Sequence, residues 1–171
     1  RLRGAAFAKA ARSQHLVVST YALALRDQDD LAKVEWQGVV LDEAQNIKNP
    51  GAKQTRAIRG LRAQYRFALT GTPVENRLTE LWSIMQFLNP GYLGSQKDFQ
   101  VRFALPIERY GADEAAAQLR GLVQPFLLRR VKTDPKIIDD LPEKTEMQVF
   151  CTLTKEQATL YQAVVDDLLD E

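Results

Sequence analysis

Two residue types that build many small protein sites are almost missing from this chain. Its 171 residues include one cysteine, Cys151, and one histidine, His15. A lone cysteine cannot close an internal disulfide, and one cysteine with one histidine cannot make a structural zinc site, so disulfide scaffolds and zinc modules are excluded. Long apolar runs are missing too. The longest uncharged stretch, Leu81 to Gln96, is interrupted by Asn89, Pro90 and Gly91 and falls short of the roughly 20 apolar residues a membrane span needs. Neither charge sign dominates: 23 Lys and Arg face 22 Asp and Glu, for a net +1. A polyanion partner would therefore have to meet a local patch. No initiator methionine or signal-peptide pattern opens the chain, and a helical pattern is still running when it stops at Glu171. The expectation is an intracellular segment cut from a longer protein. None of the nine glycines is followed by lysine, so no phosphate-cradling G-x-x-x-x-G-K-[ST] loop is present.

The composition, 45% apolar and 26% charged, is that of a globular protein with a real core, and the length suits one domain with a small appended module. His15–Tyr21 (HLVVSTY), Gly38–Leu41 (GVVL) and Tyr65–Thr70 (YRFALT) are short apolar runs, as in strands buried on both faces of a parallel sheet. Residues 52–62 between the last two have helical spacing, which predicts a β-α-β crossover and an α/β fold. Leu81, Trp82, Met85 and Leu88 define an amphipathic helix from Leu78 that Asn89-Pro90-Gly91 ends. Ser95 with Asp98 resembles a capping box opening a helix to Pro106, and a second short helix is predicted over Asp113–Leu122. Residues 91–125 thus form a helical insert. Strict alternation over Glu146–Leu153 predicts a half-buried strand, with Cys151 on its apolar face. Thr154 and Gln157 then cap a final helix.

Two segments carry chemistry. In GVVLDEAQNIKNP (38–50), Asp42 and Glu43 stand at the carboxyl end of an apolar strand, where open α/β sheets build their ligand crevice. An Asp there can hold Mg²⁺ through its waters, and a following Glu can polarise the water that attacks a γ-phosphate. The same acids equally suit capping the helix that begins near Ala44. In ALTGTPVENRLTELW (68–82), two threonines, a glycine and a proline follow a strand, as in a switch loop whose hydroxyls could bond the neighbouring acids. The alternative there is a simple turn with Asn76 as helix cap.

LDEAQNIKNP, LTGTPVENRLTELWSIMQFLNPGYLG, FLLRRVKTD and DLPEKTE, in this order, resemble the Swi/Snf-type helicase-like ATPases, double-stranded DNA translocases of helicase superfamily two. The resemblance covers nearly the whole chain, and HLVVSTY matches the family's strand and TTY-like motif. It implies a partial RecA-like parallel sheet over residues 1–90, a helical protrusion over 91–130, and a linker, strand and the start of a helix over 131–171. It implies a catalytic set of Asp42 (Mg²⁺-binding), Glu43 and Gln45, a coupling motif of Thr70, Gly71 and Thr72 with Pro73, and DNA contacts at Lys48, Asn49 and Arg77. ATP and Mg²⁺ are the implied cofactors. Double-stranded DNA and the rest of its own chain, with a phosphate loop upstream and a second lobe downstream, are the implied partners. A protein partner on the protrusion is a further one, and the implied location is nuclear in a eukaryote and cytoplasmic or nucleoid-bound in a bacterium. The 171 residues alone are expected to be inactive and to bind no nucleotide tightly. The rival class is a non-catalytic interaction module with vestigial acids.

Other features read as structural. Lys53, Arg56, Arg59 and Arg62 form a stripe expected to face solvent. Arg129, Arg130 and Lys132 are the densest basic cluster, suited to a structural junction or a DNA contact. Trp36, Trp82 and Phe126 are expected to pack rather than to stack on bases.

Overall fold

The computed structural model describes residues 3–130 and 145–169. Strands β1 (Glu35–Leu41) and β2 (Arg62–Ala68) pair in parallel, from Glu35 opposite Arg62 to Leu41 opposite Ala68. Parallel neighbours cannot be joined by a tight turn. The connection is a 3₁₀ turn, Ala44–Ile47, followed by helix α4 (Lys53–Arg59), so the predicted β-α-β crossover and the α/β class are both present. Short helices α1 (Gly4–Arg12), α2 (Tyr21–Arg26) and α3 (Gln28–Leu31) precede β1. After β2 come α5 (Leu78–Leu88), α6 (Gln96–Phe99), α7 (Leu105–Tyr110) and α8 (Asp113–Val123). Residues Arg1–Leu127 form one compact unit and Leu128–Glu171 a second.

Helix α5 organises the first unit because it is apolar nearly all round. Ile84 and Phe87 join Leu41, Ala44, Ile47, Ile58 and Leu61 in a cluster against the sheet. Leu81, Trp82 and Met85 join Leu93, Phe99, Phe103, Leu119 and Val123 in another, which holds the helical insert. A helix buried on two sides cannot move without disturbing both clusters.

The Ser95 box forms: its Oγ accepts from Asp98 N at 3.2 Å. The helix then runs past Pro106 through a π-helical segment, Gln100–Ala104. Proline has no N–H and crowds the carbonyl four residues back, and the wider turn just ahead of it accommodates both. Gly111, at φ +61°, ends α7 with the N–H groups of Gly111 and Ala112 bonded to Ile107 O and Pro106 O, a left-handed cap that favours glycine. Helix α8 continues past Gly121 and stops where Pro125 enters a 3₁₀ turn.

Four expectations are corrected. His15–Tyr21 is no strand: residues 15–20 are irregular, and Thr20 caps α2 by accepting from Leu23 N at 3.2 Å. With only β1 and β2 in the sheet, Leu16 and Val18 find no ladder partner among the described residues and stay exposed. The sheet is not buried on both faces, since Val40 is 61% and Phe67 58% exposed. Residues 145–154 make no strand either, and Met147, Val149, Cys151 and Leu153 are exposed, because alternation forms a strand only beside a neighbour that accepts its hydrogen bonds. Nor is Arg59 solvated: its Nη2 donates to Ser83 Oγ (2.8 Å) and its guanidinium lies 5.1 Å from the Trp82 ring centroid. Lys53, Arg56 and Arg62 do face solvent. In the second unit the Thr154 box closes reciprocally (3.0 and 3.3 Å) and opens α9 (Lys155–Leu169) as predicted.

Trp82 is buried in the second cluster, Trp36 packs against the first, and exposed Phe126 makes an edge contact with Tyr92 at 5.0 Å. Lys132 and much of DLPEKTE lie outside the described residues. No helix among the described residues is long and apolar enough to cross a membrane.

Candidate active site

The two strand ends are bonded to each other beyond the sheet. Leu69 N donates to Leu41 O at 2.8 Å, and Ala44 N donates back to Leu69 O at 2.9 Å. The acid box after β1 and the threonine loop after β2 are thereby neighbours.

Glu43 is the one non-glycine among the described residues with positive φ, at +49°. A left-handed glutamate costs about 1–2 kcal/mol and persists only where its surroundings hold it. Its carbonyl accepts from Asn46 N (3.0 Å), Asn46 Nδ2 (2.9 Å) and, more distantly, Tyr21 Oη (3.4 Å). The acids therefore do more than cap a helix: they lead into a single 3₁₀ turn, and a strained backbone places Glu43.

A line of side-chain hydrogen bonds runs outward from Glu43. Gln45 Nε2 donates to Glu43 Oε2 at 2.6 Å, and Thr70 Oγ1 donates to Gln45 Oε1 at 2.7 Å. The amide has a donor at one end and an acceptor at the other, so it fits between a carboxylate and a hydroxyl in one orientation only. Thr70 Oγ1 also accepts from Thr72 N at 3.1 Å. The expected direct bond from threonine to acid is replaced by this relay through Gln45. Thr72 Oγ1 turns away and donates to Glu75 Oε1 at 3.1 Å.

Asp42 Oδ1 accepts from Glu43 N at 2.9 Å, and both carboxylates are exposed at the end of β1. Tyr21 Oη donates to the Asp42 carbonyl at 2.7 Å. Burial first, then the charges of Asp42 and Glu43, push the Tyr21 phenol up to about 12. Tyr21 is a residue that pattern reading assigned to a strand; only the fold carries its ring to the acids.

Lys48 and Asn49 come just after the turn. Lys48 Nζ pairs with Glu75 and lies 3.8 Å from Glu80. The hydrogen bond to Glu75 raises the lysine's pKa, and the same bond, with Thr72 adding to it, lowers the glutamate's. Asn49 Oδ1 accepts from Gly51 N at 3.0 Å in a local turn. Arg77 is exposed just ahead of α5, and its carbonyl accepts from Glu80 N at 3.0 Å. Asn76 does not cap α5; Glu80 reaches back instead, its Oε2 accepting from Glu75 N (2.8 Å) and Asn76 N (3.2 Å). Glycine at 71 has open space around it, and Pro73 borders a separate apolar groove of about 400 Å³ against α7 and α8.

Among the described residues no cluster of three or more His, Cys, Asp or Glu could hold a metal ion by itself. Mg²⁺ binds through one or two carboxylates and completes its shell with water and phosphate oxygens, so the exposed acids at the end of β1 fit that ion without a larger cluster. Asp42 is the carboxylate free to serve.

Residues 3–169 match the SNF2-related domain. The chain belongs to that family. It is 48% identical over 170 residues to the putative ATP-dependent helicase/translocase YwqA of Bacillus subtilis, covering 99% of this chain and 18% of the relative. It is 38% identical over 162 residues to human DNA excision repair protein ERCC-6, covering 88% of this chain and 11% of that one. Among solved structures, the Sulfolobus solfataricus SWI2/SNF2 ATPase core in complex with dsDNA superposes with a TM-score of 0.66 at 52% identity, over 88% of this chain and 32% of that chain. The SNF2-related chain therefore spans less than a fifth of the length of these curated relatives.

Proposed function

We propose that this SNF2-related chain is the acid-box and coupling segment of an ATP-dependent translocase on double-stranded DNA. The observation that carries the reading is the Glu43–Gln45–Thr70 relay, which ties the acid suited to activating water to the loop that leads into α5. Residues 1–90 would be the later half of a RecA-like lobe, 91–130 a helical protrusion, and 131–171 a linker and following elements. With no G-x-x-x-x-G-K-[ST] in the sequence, the phosphate loop and a second lobe would come from other parts of the same protein.

Asp42 would hold Mg²⁺ with ATP, which neutralises charge on the transferring phosphoryl group. Glu43 Oε2 is occupied by Gln45, so Oε1 is the oxygen left to accept a proton from the attacking water. Gln45 keeps the carboxylate from turning, and a change at Glu43 is felt at Thr70 through two hydrogen bonds. Asn49 and Arg77 would lie along the DNA backbone as positioning contacts, and Lys48 would join them where a phosphate takes the place of Glu75. In the full-length protein, Glu43→Gln should lower turnover roughly 10²- to 10⁴-fold with nucleotide binding nearly intact, whereas Asp42→Asn should weaken Mg²⁺-dependent nucleotide binding. A Glu43→Gln protein that hydrolyses ATP at the parental rate would leave Glu43 a structural residue.

A further inference from the structure

Ser83 and Arg59 belong to neither the acid box nor the threonine loop, yet they meet the acid box from behind. Ser83 and Ile47 are both 0% exposed, and Ser83 Oγ donates to the Ile47 carbonyl. Ile47 closes the 3₁₀ turn, so its carbonyl is one of the acceptors that a helical end leaves unpaired. No water reaches it, and Ser83 is its partner.

A serine hydroxyl has one proton and two acceptor positions. Arg59 Nη2 donates to Ser83 Oγ at 2.8 Å and to Ser83 O at 2.9 Å. A guanidinium accepts nothing, so the single serine proton is left for Ile47. The guanidinium lies over the Trp82 ring, 5.1 Å from its centroid, but that contact does not account for all that arginine does here. Its Nε is buried without a partner among the described residues, a penalty that an uncharged side chain of similar length would escape. Beyond the ring contact, arginine adds the pair of donors aimed at Ser83.

We propose that Ser83 is a positioning residue for the acid box, with Arg59 fixing the direction of its hydroxyl. This role rests on Glu43 being the water-activating acid and deepens that assignment. The turn tied to α5 at Ile47 is the four-residue turn that carries Gln45, the bridge between Glu43 and Thr70. Helix α5 is thus joined to the acid box by two routes. One passes through the loop and Thr70, the other through Ser83 and Ile47. Because Trp82 Nε1 donates to Gly94 O at 3.1 Å, the second route also reaches the helical insert.

The test is steady-state ATP hydrolysis by the full-length protein and by its Ser83→Ala, Gln45→Ala, Ser83→Ala/Gln45→Ala and Glu43→Gln variants. Ser83→Ala should lower kcat on the order of 10- to 100-fold while KM for ATP stays within about twofold, as expected for a misplaced catalytic group. In the Gln45→Ala background the same change should cost little more, because the group it positions is gone. Parental kcat in Ser83→Ala, or an equal loss with and without Gln45, overturns the proposal. If circular dichroism shows that Ser83→Ala does not fold, Arg59→Met replaces it in the same cycle, since it keeps a side chain of similar length and removes both donors to Ser83. A folded Arg59→Met protein with parental kcat, or with a loss independent of Gln45, overturns the proposal equally. Failure of the underlying assignment is visible separately, as parental turnover in Glu43→Gln.

Discussion

Thr70 and Thr72 are two residues apart and face different partners, so replacing them singly should separate chemistry from movement. Thr70→Val keeps the shape of the side chain and removes a hydroxyl that donates to Gln45 Oε1 at 2.7 Å and accepts from Thr72 N at 3.1 Å. Each such bond contributes about 0.5–1.5 kcal/mol net, so about 1–3 kcal/mol of orientation in the loop and at Gln45 is lost. If all of it appears in the barrier, ATP turnover falls about 5- to 150-fold, at roughly 1.36 kcal/mol per factor of ten. Thr72→Ala removes only an exposed bond to Glu75 and leaves the relay to Glu43 intact. Its turnover should stay within about twofold of the parent, while translocation, read as displacement of a third strand from a triplex, should fall. The assay compares DNA-stimulated hydrolysis and displacement in the full-length protein. Equal loss of hydrolysis in both variants would refute the relay, and unchanged displacement in Thr72→Ala would place coupling elsewhere.

Three more outcomes are expected. The 171-residue chain alone should bind a non-hydrolysable ATP analogue weakly, because the donors that cradle the phosphates are not in its sequence; micromolar binding by calorimetry would overturn the segment reading. The Lys48–Glu75 pair should stabilise the fold over a pH window with two edges. Glu75 is lowered from 4.5, so its contribution is present above that value and lost as pH falls through its folded pKa, and Lys48 is raised from 10.5, so its contribution is lost as pH rises through its own. Matching stability-pH curves for the full-length protein and Glu75→Gln would show that the pair stabilises nothing. Tyr21 should titrate in the folded protein near 12 rather than 10.0, with stability from its neutral form complete below 10.0 and lost as pH rises toward 12. Ultraviolet difference titration against Tyr21→Phe measures it, and a phenolate appearing near 10.0 would mean that the ring is not held against Asp42.

Local pattern was enough wherever an element is stabilised by its own neighbours. The spacing of Leu81, Trp82, Met85 and Leu88 places α5 between Leu78 and Leu88, and Thr154 with Gln157 opens α9 at Lys155, because capping and amphipathic contacts are made within a few residues. The order of the DEAQ and LTGTP motifs likewise marks the family. A strand is different, since its ladder bonds are made by another segment. His15–Tyr21 and Glu146–Leu153 have strand patterns and no partner strand among the described residues, while GVVL and YRFA have each other.

The site divides in the same way. That Asp42 and Glu43 end a strand is set by the order of residues along the chain. That Glu43 is left-handed, that Gln45 rather than a threonine touches it, and that Tyr21 backs the acids depend on which segments the sheet brings side by side. Arg59 is the sharpest case. Its spacing with Lys53, Arg56 and Arg62 is that of a solvated stripe, and a guanidinium is assigned to water unless a buried acceptor is known to be waiting. Ser83, 24 residues later, is that acceptor, and only the packing of α5 against the turn after the acid box puts it within 2.8 Å.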